Sequence, residues 1–148
     1  MKQHTSKYKK KRMNKTKKNK KNKPVSKGQI VKVFFELLHS IKIYHWKTDS
    51  YSGHKASDEL HEHLSSQIDR FIEVLMGKNN NKIEIVDMRI KLYDLDDKIK
   101  IKNKIFEFRQ FLIDLDDIFP QKKDIDLISI RDEMLESLNR FLYMLALE

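Results

Sequence analysis

The sequence predicts an all-α fold, a bundle of four helices in two hairpins joined by one long crossover. Three observations predict it. With three glycines and two prolines in 148 residues, the chain has too few turn-makers for a sandwich or barrel. Apolar residues recur at steps of three and four through four separate stretches, the period of an amphipathic helix. Between the second and third stretches lies KNNNKIEIVDMRIKLYDLDD, 20 residues without that period. A short link would make the second and third helices antiparallel. A link this long can travel the length of the bundle and make them parallel.

The first helix is expected from Gln29 to Trp46, with Ile30, Phe34, Leu37, Leu38, Ile41 and Tyr44 on one stripe. Val31, Phe35 and Ile43 widen that stripe, so this helix faces neighbours on two sides. TDSYSG breaks it. The second runs from Gly53 to Met76 on Leu60, Leu64, Ile68, Phe71 and Leu75, with Gly77 as its stop. In the crossover, Val86, Met88, Ile90 and Leu92 alternate with polar residues, the period of an extended segment. The third helix is expected from Asp97 to Phe119, before Pro120. The fourth spans Asp124 to Leu147, with Asp124 and Asp126 placed to favour its N-terminus.

One domain fits this length. The absence of cysteine excludes disulfides, thiolate zinc sites and thiol catalysis. No stretch approaches a membrane span and no hydrophobic signal core opens the chain. The expected location is therefore intracellular, whether cytoplasmic, nuclear or virion-associated, with no membrane partner and no secretion.

The net charge of +9 is unevenly distributed. Residues 1–27 hold thirteen Lys or Arg and no acid, leaving 18 basic against 22 acidic residues, a net of −4, in residues 28–148. An acidic helical domain thus follows a basic arm. The arm has almost no apolar residues and is expected to be disordered. Lys9, Lys10, Lys11, Arg12, Lys15, Lys17, Lys18, Lys20, Lys21 and Lys23 are its candidate nucleic-acid contacts. Such cations neutralise phosphates and release counterions, without sequence preference. A nuclear-import signal in KYKKKR and a solubilising tail are the other readings.

The second helix also carries His54, Asp58, Asp69 and Glu73, within about 100° of one another around its axis. The first hairpin sets His45 beside His54, so His45, His54 and Asp58 gather at one end of the bundle. Imidazoles with a carboxylate form a ligand set for iron or manganese. Asp69 is about 16 Å further along the helix and cannot join them within one chain. Two copies of the helix, antiparallel about residues 63 and 64, align His54 with Glu73 and Asp58 with Asp69. A two-fold dimer would complete two identical sites. The competing reading is a solvated acidic face, because Glu59, Glu62, His63 and Arg70 share part of that arc. His39, His61 and His63 are read as surface or packing residues.

These residues resemble the Dps family, the miniature ferritins that bind DNA in starved cells. That family's pattern is HW, a loop, HxxxD, ten residues, then DxxxE. YHW at 44–46, HKASD at 54–58 and the pair Asp69 and Glu73 match it over residues 30–77. The chain is also similar to small ferritin-like proteins of large DNA viruses and phages, which keep an HW…HKA…D…E core. The resemblance implies a ferritin-like fold and a homo-oligomer, a twelve-subunit shell in that family. It implies a ferroxidase centre of His45, His54 and Asp58 from one subunit with Asp69 and Glu73 from its two-fold mate. Trp46 would lie near the metal. Fe(II) would be oxidised, commonly by peroxide or alternatively by oxygen, and the basic arm would hold DNA. Manganese, zinc or no metal are the alternatives to iron. The chain departs from the pattern in a loop three residues shorter between His45 and His54, in Val74 where the family has arginine, and in an extended crossover. A catalytically silent nucleic-acid-packaging scaffold and a plain helical interaction module are the competing expectations.

Overall fold

The computed structural model describes residues 25–147. The lysine-rich arm lies outside the described residues up to position 24. Its expected boundary moves, because Ser26 caps the first helix by accepting a hydrogen bond from the Gln29 amide (3.2 Å), and Lys27 is already helical.

Four helices supply most of the core: α1 (Lys27–Lys47), α2 (Tyr51–Asn79), α3 (Lys98–Asp114) and α4 (Ile125–Ala146). Each contributes the stripe its sequence period predicts. Ile30, Phe34, Leu37, Ile41 and Tyr44 of α1 are buried with Leu60, Leu64, Ile68, Phe71 and Leu75 of α2. Phe71 meets Phe34 and Phe119 edge to face at centroid distances of 5.5 and 5.7 Å. Among the described residues no helix is long and apolar enough to cross a membrane.

Polar contacts fix the directions. Gln67–Ser137, Arg70–Glu133 and Lys78–Asp126 descend α2 while ascending α4 in reverse, so these helices are antiparallel. α1 and α2 are antiparallel through Lys42–Asp58 and Phe34–Phe71. The crossover then returns alongside α1 in the same direction as α1. A Cβ on Gly28 would stand 2.9 Å from the Glu84 carbonyl oxygen, Lys91 N–H donates to the buried Glu36 carboxylate (2.9 Å), and Lys47 pairs with Asp94. Chain direction and end position follow from those three contacts. α3 begins at the end where α2 began and runs parallel to it.

α2 and α3 end differently from expectation. α2 continues through Gly77 and stops only at Asn80, in the left-handed conformation at φ 45°. Its last turn is held by Lys78, which bridges Asp124 and Asp126 on α4. Residues 82–96 form neither helix nor strand, and the alternating apolar residues are not a buried strand face. Val86, Ile90 and Leu92 are exposed, while Leu95 is buried. Finally α3 tightens into a 3₁₀ turn at Leu115–Asp117, where Arg131 of α4 reaches the Leu112 carbonyl (2.8 Å) and Asp116 (2.8 Å).

Candidate metal centre

The α1–α2 turn is three residues, Thr48 to Ser50, and its chemistry is local. Ser50 caps α2 by accepting from Gly53 N–H (3.0 Å), and its own amide donates to the Thr48 hydroxyl (3.2 Å). So tight a turn presses the last turn of α1 against the first of α2. The His45 and His54 rings consequently stack, with centroids 3.8 Å apart and planes 24° from parallel.

Each ring is locked by the other's backbone. His45 Nδ1 lies 3.0 Å from the His54 carbonyl oxygen, and His54 Nδ1 lies 2.8 Å from that of His45. A carbonyl only accepts, so both Nδ1 atoms carry hydrogen, and both neutral rings keep their lone pair on Nε2. Ser57, fully buried, donates to the same His54 carbonyl (3.0 Å). A backbone acceptor on the far nitrogen fixes the tautomer and orientation of each ring, as it does for imidazoles that bind metals.

Asp58 stands one turn further, its Oδ1 3.8 Å from His45 Nε2 and 3.3 Å from Lys42 Nζ. The Lys42 ammonium, hydrogen-bonded to it, is the chief cause holding the Asp58 carboxyl below the usual carboxylate range. His61 belongs to the same surroundings. Its burial, then the charge of Lys42, lower its pKa, against the pull of Asp58. Lys42 and His61 were not among the expected site residues. They stand three residues before His45 and three after Asp58, a helical spacing that puts them on the same seam.

Asp69 and Glu73 lie elsewhere on α2. Both are exposed, and they line a groove of about 280 Å³ with Val31, Phe35, Ile72 and Met76. Trp46 follows His45 in sequence and is 71% exposed. Among the described residues, no group of three or more His, Asp or Glu converges closely enough to hold a metal ion. One chain therefore brings His45, His54 and Asp58 to one surface and leaves Asp69 and Glu73 on another part of the same helix.

A model of a family of unknown function, DUF5856, matches residues 45–145. The chain belongs to that family. The DUF5856 span opens at His45, includes the other four candidate ligands, and covers α2, the crossover, α3 and nearly all of α4. No curated protein and no solved structure matches the chain. The lysines proposed to contact nucleic acid all lie before residue 25, outside both the family span and the described residues.

Proposed function

We propose that this DUF5856 protein is a Dps-like, ferritin-fold metal-binding protein that oxidises Fe(II) at a site shared by two copies of the chain. The observation that carries the reading is the locked imidazole pair. Two adjacent rings with protonated Nδ1 and free Nε2, one of them 3.8 Å from a carboxylate, are ready-made half of a nitrogen–oxygen ligand set. Ferritin-like connectivity is supported by the crossover running beside α1 and by the parallel course of α2 and α3.

The second half comes from a mate. With two α2 helices antiparallel about residues 63 and 64, Asp58 faces the partner's Asp69 and His54 faces the partner's Glu73. Two facing carboxylates repel unless a cation lies between them, which gives the assembled site its attraction for a divalent ion. Lys42 supplies a positive charge to Asp58 before metal arrives and yields that carboxylate on binding. Fe(II) is the substrate. Two Fe(II) each give one electron to one hydrogen peroxide, which takes up two protons and leaves as two waters. The imidazoles suit the ferrous ion, and the carboxylates favour the ferric product. The basic arm would keep the protein on nucleic acid, or alternatively engage an import receptor.

Metal analysis of purified protein, paired with its mass in solution, tests this directly. The expected result is a dimer or larger assembly that binds Fe(II) and accelerates peroxide consumption, both lost in Asp58→Ala and in Glu73→Ala. No bound metal at saturating Fe(II) sinks the proposal. A second reading, a catalytically silent nucleic-acid-packaging scaffold, draws on the Lys42–Asp58 ion pair and the thirteen basic residues of the arm. It predicts dispensable carboxylates and an essential arm.

A further inference from the structure

We propose that Tyr51 of each copy seats in the apolar groove of its partner, so that one helical face locks to itself at both ends. This deepens the two-fold pairing proposed above and rests on it. Tyr51 opens α2 with 77% of its surface exposed, the most exposed large hydrophobic side chain among the described residues. At the other end of the same helix, Val31, Phe35, Ile72 and Met76 form a groove with Asp69 and Glu73. Within one chain the two cannot meet, since residues 51 and 76 are about 37 Å apart along α2.

The two-fold axis chosen for the metal ligands brings them together. Rotation about residues 63 and 64 exchanges 51 with 76, as it exchanges 54 with 73 and 58 with 69. Tyr51 and Met76 lie only about 20° apart around the helix, so both point into the same interface. The partner's ring then covers Met76, a thioether that packs well against aromatic faces. Lys55, exposed, is carried to Ile72 beside the acidic Glu73. At the centre Glu62 meets Ser65, so no like charges oppose there. A second copy is the occupant this surface fits, because knob and groove stand on one face at positions a single two-fold interchanges.

The chain has no cysteine, so introduced thiols are unique. Tyr51→Cys and Met76→Cys chains, co-expressed and treated with a short bis-maleimide, should give a covalent heterodimer. Neither variant alone should, because its two thiols would lie far apart. Absence of the mixed product, or equal products from the single variants, overturns the proposal. Independently, Tyr51→Ala should weaken dimerisation about tenfold or more by sedimentation. Tyr143→Ala, a comparably exposed ring on α4, should leave it unchanged. Equal weakening by both variants, or by neither, also overturns it. Mn(II) titration of the wild-type chain separates the two ideas. A 51–76 cross-link without metal binding sustains the lock and sinks the metal centre, whereas metal binding without the cross-link sinks the lock.

Discussion

At the α3–α4 turn, buried Arg131 directs all three of its nitrogens at nearby partners: the Leu112 carbonyl, Asp116 and Asp132. At the α1–α2 turn, His45 and His54 each give one nitrogen to the backbone and keep the other free of it. The first arrangement ends a helix and is complete. The second is held as firmly but is chemically half used, with His54 exposed and His45 partly buried. That difference separates a polar group that builds the fold from one positioned for something outside it. Burial with every partner local points to architecture, whereas rigid placement with an unused lone pair points to a ligand.

The contrast can be broken most forcefully at its structural pole. Arg131→Ala removes the buried side-chain donor to the Leu112 carbonyl and the ion-pair partner of Asp116, and should cost about 3 kcal/mol in urea unfolding. Metal affinity of the folded fraction should not change. Asp58→Ala should do the reverse. Metal affinity measured by calorimetry should fall by about 100-fold or more, with unfolding free energy within about 0.5 kcal/mol of wild type, because the carboxylate is exposed. Gly77→Ala sharpens the helix-length finding. Its Cβ would meet nothing within 4 Å, so removing a helix-interior glycine should add about 0.5–1 kcal/mol to thermal stability. The smallest effect concerns pH. Lys78 holds the Asp126 carboxyl below its ordinary 3.8, so their pairing contributes at neutral pH and is lost as pH falls through that lowered value. In Lys78→Met, NMR titration should return Asp126 upward and the acid limb of the stability curve should flatten.

Much of the fold was legible because helical period and burial coincide. Phe34, Leu37, Ile41 and Tyr44 fall on the buried stripe that their spacing predicts. The end of α2 was not, since Gly77 is a stop only by local propensity and the Lys78 bridges to α4 override it. In the crossover the alternation pointed to an extended segment, and residues 82–96 form no helix. What pins that segment was not legible, because it rests on single contacts such as Lys91 to Glu36. At the site, sequence spacing put His45 beside His54 correctly, because a three-residue turn leaves little choice. It could not give Lys42 as the counter-ion of Asp58, which depends on how α1 and α2 are rotated against each other.

Gly28 has a further consequence, for geometry at larger scale. It sets the start of α1 against the crossover at the end where α2 finishes, so α1 begins at the pole opposite His45 and His54. In the proposed antiparallel pair, the two α1 starts would lie at opposite poles, about 43 Å apart by the length of α2. A polymer long enough to touch both gains bivalent avidity, the second attachment becoming intramolecular, while a shorter oligomer engages one. Under the proposal that the basic arms bind nucleic acid, reach, more than base sequence, would decide which nucleic acids the assembly retains.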